Sequence, residues 1–333
     1  MKKFLWGLLK VSVAVGILYS LFVQVPVSDV IAVMLSAQPS YLVIALMLSI
    51  LVHLVAGYRL KFFTENQGIS LSTFRALEIN LAAVFYGLFL PGGNLTGGAI
   101  RFYKLSGQEK KMAAALASLA LDRVMATIAL SVVGIFFWSV NRPPDSGYIG
   151  LSMVAVLGGL IFPALFLLWG DMPGRFLKLL ERMRSSFVVA QGRKLLAKIE
   201  RCRKLSLRSL IFILTLSIAS HLVGAFVYYL LASSLEADIS LATIVWVRSA
   251  VVLATMVPIS ISGLGVREGA LLFLLKPYGI GRETALAFSL LVFAVTVLMM
   301  GILGGLLEGR RFLHPASAAL ESVGKKWQIK RYW

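Results

Sequence analysis

The sequence is short of nearly everything a soluble enzyme relies on. Its 333 residues include one cysteine, three histidines and 15 acidic residues, and only 14% are charged. A lone Cys202 forms no internal disulfide, and no Cys/His spacing fits a zinc site, so no metal and no other cofactor is expected. The Gly-rich stretch "GGNLTGG" lacks the terminal Gly-Lys-Ser/Thr of a phosphate loop, which removes the usual nucleotide site. No clustered pair of acidic loop residues offers a metal or donor-nucleotide centre, and no catalytic residue stands out. Period-two alternation is also missing, which excludes a membrane barrel.

What is present is apolar chain. Hydrophobic residues make up 59% of the sequence and mean hydropathy is +0.86, outside the balance of a soluble domain of this length. Several windows of about 20 residues carry almost no charge, the length needed to cross a hydrocarbon core of roughly 30 Å as a helix. The fold class is an all-α polytopic membrane protein. The formal net charge of +18 would suggest nucleic acid in a soluble protein. Here the cations cluster between apolar runs, so they are topology signals and anionic-lipid contacts, and no nucleic-acid partner is expected.

Apolar spans are predicted at 4–23, 41–58, 112–140, 148–170, 209–233 and 284–308. The first has a signal-like start, but Lys10 interrupts it and no small-x-small cleavage site follows, so it is expected to stay as an uncleaved helix. Two further segments, 72–105 and 241–276, are broken by "PGGNLTGGAIR" and "PISISGLGVREGA". Lys2 and Lys3 place the N-terminus in the cytoplasm, the loop Val25 to Ser40 lacks Lys and Arg and is external, and Arg59, Lys61 and Arg75 return the chain inside. The linker 171–208 is dense in Arg and Lys and is expected as a cytoplasmic amphipathic helix on the anionic leaflet; the tail 309–333 is basic and cytoplasmic too. This threading makes each broken segment a re-entrant hairpin. The first enters from the cytoplasm and the second from outside, and Lys276 and Arg282, placed outside, run against the charge rule.

The threading contains a repeat. "LSILVHLV" at 48–55 matches "LSIASHLV" at 216–223, and "TGGAIR" at 96–101 matches the pattern of "SGLGVR" at 262–267. Segments 4–140 and 148–308 become two inverted-topology repeats in a single membrane domain of about six transmembrane helices plus two re-entrant hairpins, an arrangement common in secondary transporters.

Proline stops the first arm of each hairpin before Pro91 and Pro258, and Gly97, Gly98, Gly263 and Gly265 permit tight turns and close approach. A helix then restarts with Thr96 or Ser262 as N-cap. Its free N–H groups, with Arg101 or Arg267 in or just after the first turn, suit a phosphate or carboxylate. Glu268 is counted with these substrate-binding residues; the alternative is that each arginine only caps backbone carbonyls or pairs with a neighbouring carboxylate to hold its hairpin shut. Asp122, Arg123 and Arg248 are charge-pairing or coupling residues; Asp122 is expected to neutralise Arg101 or Arg267, or to couple a proton to transport. His53 and His221 occupy equivalent places and are expected as interhelical hydrogen-bond donors, with a proton relay as the alternative.

At these two motifs the sequence resembles the flippase-like membrane region of the lysylphosphatidylglycerol synthases and its stand-alone relatives, over roughly 5–310. The resemblance implies a lipid translocator of the cell inner membrane, with Arg101, Arg267 and their Gly/Ser/Thr neighbours contacting the lipid phosphate. It implies an anionic phospholipid or polyprenyl-phosphate-linked lipid as cargo and a separate lipid-modifying enzyme as a partner. The chain ends at Trp333 without room for the synthases' soluble aminoacyl-transferring domain, so synthase activity is not implied. Two other classes remain open: a membrane glycosyl- or lipid-modifying transferase using Asp122 or Glu268 as base, and a non-transporting partner of an envelope-synthesis enzyme.

Overall fold

Apolar windows of this length become helices because a backbone in hydrocarbon must satisfy its own N–H and C=O groups. The computed structural model describes residues 26–90, 93–107, 111–141, 158–159, 206–256 and 263–313, and no strand occurs among them. The expected span 4–23, nearly all of 148–170, the linker up to residue 205 and the tail beyond 313 lie outside the described residues.

The described helices are α1 (Val27–Leu35), α2 (Pro39–Asn66), α3 (Thr73–Phe89), α4 (Asn94–Ser106), α5 (Met112–Val140), α6 (Leu207–Ser233), α7 (Leu241–Met256), α8 (Val266–Leu275), α9 (Arg282–Phe293) and α10 (Met299–Leu313). A π-helical segment, Ala294–Leu298, joins α9 to α10, so 282–310 is one continuous span of 29 residues. Among the described residues, four helices are long and apolar enough to cross a membrane: α2, α5, α6 and this composite. The predicted external loop after Val25 contains α1 instead of plain loop. Val30 of α1 is buried, and the Gln38 N–H donates to the Ser234 carbonyl at 3.1 Å, pinning the start of α2 beside the end of α6.

Each broken segment is a pair of short helices packed on each other. The 17 residues of α3 and 13 of α4 extend about 25 and 20 Å, and the 16 of α7 and 10 of α8 about 24 and 15 Å, so none spans a roughly 30 Å core alone. Their open ends lie at opposite ends of the crossing helices. Helix α5 starts a few residues after α4 and runs about 43 Å over 29 residues. At its far end the Asn141 amide donates to Ser240 and Thr243 at the start of α7, and its carbonyl accepts from the Tyr278 hydroxyl just past α8. The 282–310 span does the reverse. It begins just beyond Tyr278 and ends where Lys104 of α4 donates to Glu308 at 2.5 Å. The hairpins are therefore inverted with respect to each other.

The same element order appears twice. Helices α2 and α6 start 168 residues apart, as do α3 and α7, and α5 is matched by 282–310 at an offset of 170 at both ends. Ser49 and Ser217, equivalent within "LSI", both bond the carbonyl four residues back, at 2.8 and 2.7 Å. The halves are interlocked: α2 packs along α6, α5 of the first half packs on α7, and α10 of the second packs on α3. The larger buried core surrounds the second hairpin, around Trp246, Phe288, Leu271 and Leu275, while a smaller one joins α2, the first hairpin and the start of α5.

The α10–α3 contact is close enough to bring backbone to backbone. A Cβ on Gly304 would overlap the Leu81 carbonyl, whereas one on Gly309 would meet nothing. Gly304→Ala should cost about 1–3 kcal/mol through overpacking. Thermal unfolding in detergent is expected to shift down for Gly304→Ala and to be unchanged for Gly309→Ala.

Candidate functional site: two cavities meeting at a π-helical segment

A cavity of about 250 Å³ lies at the second hairpin and one of about 120 Å³ at the first. Ser49, His53, Tyr228, Arg248, Thr255 and Arg267 bring the polar groups to the larger. Gly87, Gly93, Gly97, Arg101 and Arg123 line the smaller. Both are bounded by Thr296 and Val297, at the midpoint of the 282–310 span. The two hairpins thus have separate cavities with a shared wall, and Arg101 and Arg267 do not face one common space.

That wall is the π-helical segment "AVTVL". Three consecutive β-branched residues crowd the preceding turn, and the Thr296 hydroxyl donates to the Val292 carbonyl at 2.7 Å, competing with regular α-helical bonding. In the other half the equivalent residue is Ala126, in unbroken helix, whose carbonyl accepts a bond from His221 Nε2 at 2.9 Å. His221 is the interhelical donor expected of it. His53, its repeat equivalent, instead faces the cavity beside Thr296.

The restart positions differ from expectation. Helix α4 begins at Asn94 with Gly93 as N-cap, which puts Thr96 inside the first turn and makes Arg101 the eighth helical residue, too far along to crown the N-terminus. Gly97 packs the hairpin arms: a Cβ there would lie 2.7 Å from the Ala83 carbonyl oxygen, while Gly98 faces open space. Helix α8 begins after Gly265 (φ 84°), a left-handed position that favours glycine. Gly263 precedes it at φ 80°, and Ser262 lies outside the described residues.

The charges sort into paired and unpaired. Asp122 is bound neither to Arg101 nor to Arg267; its partner is Arg59, whose Nε donates to it at 2.5 Å, with both side chains buried. Arg59 also reaches Ser217 at 3.3 Å, so this pair ties α2, α5 and α6 together. Sequence reasoning used Arg59 only as a marker of the cytoplasmic side, and no local signal reveals a partner 63 residues away. Arg267 is tied as well: its Nη2 meets Glu268 at 2.6 Å, its Nε meets Ser289 at 3.3 Å, and its guanidinium lies 4.9 Å from the Phe293 ring centre. Glu268 also accepts from Ser289 and from the Gly265 N–H at 2.6 Å, which caps α8. In contrast, Nε of Arg101 and of Arg248 are buried without a hydrogen-bond partner among the described residues. Arg123 is exposed and lines the smaller cavity.

A family model described as "Lysylphosphatidylglycerol synthase TM region" matches residues 7–304. The chain belongs to that family. No curated protein matches it. As a member of the lysylphosphatidylglycerol synthase membrane-region family, with helices that cross the bilayer, it is a membrane protein with a lipid-related role. In this family member the two broken motifs are the two hairpins, and each has a cation-lined cavity at its side.

Removing Asp122 leaves Arg59 buried and uncompensated, which costs about 3–5 kcal/mol, while replacing both partners with apolar residues is often near neutral. Asp122→Ala is expected to lower the unfolding temperature sharply. The double substitution Arg59→Met with Asp122→Leu should recover most of that loss. Equal destabilisation by the single and the double variant would show that the pair is not the tie between the three helices.

Proposed function

We propose that this protein is a lipid translocase that moves an anionic phospholipid or polyprenyl-phosphate-linked lipid between the leaflets of the cell inner membrane, with both termini cytoplasmic. The observation that carries this reading is the pair of cation-lined cavities, one beside each of two inverted hairpins, sharing Thr296 and Val297 at mid-span as a common wall. Irregular backbone at membrane depth is tolerated where it is buried in protein or lines a cavity, and inverted hairpins meeting near the midplane are how many transporters give a polar group a route through oil. The headgroup passes from one cavity to the other while its acyl chains stay in lipid. Family membership supports the lipid; the arginines support its negative charge.

Arg101 binds the headgroup phosphate from the first hairpin, with Thr96, Gly97 and Gly98 in the turns that precede it on α4. On the second hairpin Arg267 lines the wall, while Gly263 and Gly265 shape the turn before α8 and Glu268 holds the guanidinium from behind. Since Arg267 is already neutralised, it positions the hairpin more than it holds cargo, and Asp122 serves the packing rather than a free charge.

A charge-assisted hydrogen bond is worth about 1.5–3 kcal/mol, so losing one slows transfer about tenfold or more. Arg101→Ala in proteoliposomes should slow leaflet exchange of fluorescent phosphatidylglycerol by that factor, with the unfolding temperature held near wild type. Exchange at the wild-type rate in a folded variant would remove Arg101 from the site.

A further inference from the structure

The second inference rests on the translocase reading and concerns which headgroup the larger cavity admits. Among the described residues, the carboxylates of the helices that carry the two cavities' arginines already have a cation. Asp122 is held by Arg59, Glu268 by Arg267, Glu78 by Arg75 at 2.9 Å, and Glu308 by Lys104. Among the described residues, no Asp or Glu lines either cavity. The lining guanidiniums are Arg101 and Arg123 on one side and Arg248 and Arg267 on the other, and among the described residues only Arg267 has a carboxylate partner.

Arg248 is the cation the repeat does not predict. At the 168-residue offset its counterpart in the first half is Asn80, and the counterpart of Gly224 is Ala56. These two differences belong together, because the Arg248 guanidinium lies against Gly224 where a Cβ would overlap it. Its Nη1 donates to the His221 carbonyl at 3.4 Å, and its Cζ stands 5.5 Å from the centre of the Tyr228 ring. That carbonyl and that ring hold the side chain in place without neutralising it. A guanidinium has five N–H donors, so several remain for a ligand oxygen.

We propose that the cavity at the second hairpin admits lipid headgroups of net negative charge, a phosphate or phosphodiester with no free amine, and rejects aminoacylated and other cationic headgroups, with Arg248 as the discriminating residue. A headgroup ammonium placed here meets guanidiniums and finds no carboxylate. Like-charge juxtaposition of this kind costs several kcal/mol, and specificity is built from such repulsion as much as from attraction.

The test is equilibrium displacement of a fluorescent phosphatidylglycerol from the purified full chain in uncharged detergent. The competitors are phosphatidylglycerol, lysylphosphatidylglycerol, phosphatidylcholine and inorganic phosphate. Phosphatidylglycerol is expected to displace the probe at a concentration at least about tenfold below that of lysylphosphatidylglycerol, a factor that corresponds to 1.4 kcal/mol. Arg248→Gln should erase this ratio. Thr296→Asp, which leaves Arg248 in place and adds a carboxylate to the cavity wall, should shift the ratio toward the cationic lipid and serves as the measurement if Arg248→Gln fails to fold. Equal displacement by both lipids in wild type, or a ratio unchanged in folded Arg248→Gln, overturns the proposal. Displacement by inorganic phosphate as effective as by phosphatidylglycerol keeps the charge assignment and removes the lipid-translocase reading. A wild-type protein that does not hold the probe at all overturns both.

Discussion

The two helices shared between the hairpins are the constraint on which the rest of this structure depends. A re-entrant hairpin leaves backbone at its tip that hydrocarbon cannot satisfy, so it survives only when protein surrounds it. Helix α5 starts beside the open end of the first hairpin and packs on α7 of the second; the 282–310 span starts beside the second and packs on α3 of the first. Each crossing helix therefore covers a hairpin of the opposite half. The interlocking explains the close glycine contacts, such as Gly304 on Leu81, and explains why the polar space collects where the two hairpins and the span's middle converge.

Within that frame the buried charges have two jobs that only geometry separates. The Arg59–Asp122 and Arg267–Glu268 pairs are closed units whose hydrogen bonds fasten helices together. Among the described residues, Arg101 and Arg248 have no carboxylate partner, and both stand at cavity walls. A cation of the first kind contributes stability through its partner; a cation of the second kind is an electrostatic cost that a bound anion relieves, which is the usual mark of a site in a membrane protein.

Much of the fold was legible because bilayer thickness and proline act locally. The span 112–140 agrees with α5 to the residue, 209–233 lies within two residues of α6, and the first arms of the hairpins end at Phe89 and Met256, each two residues before a proline in the sequence. The boundary placed at Tyr58 failed for an instructive reason. Arg59 was read as the end of apolar chain, yet α2 continues to Asn66 because Asp122 compensates that charge from another helix. The candidate site was legible as a set of cations and not as a set of partners. Arg267 and Glu268 are neighbours in sequence, but the residue that bonds to both, Ser289, lies 22 residues beyond Arg267. The π-helical wall was invisible, since "AVTVL" is ordinary in composition and only its place opposite His53 gives it meaning.

Interlocking also sets a clock on biosynthesis. The ion pair that fastens the first hairpin to the 282–310 span joins Lys104 to Glu308, 204 residues later in the chain. At a translation rate of roughly 5–20 residues per second, that interval lasts about 10–40 s. For that time the first hairpin exists without the helix that will lie against it. The membrane, the insertion machinery or a neighbouring chain has to shelter it until the 282–310 span arrives, so a segment synthesised after both hairpins is the one that completes the first half of the molecule.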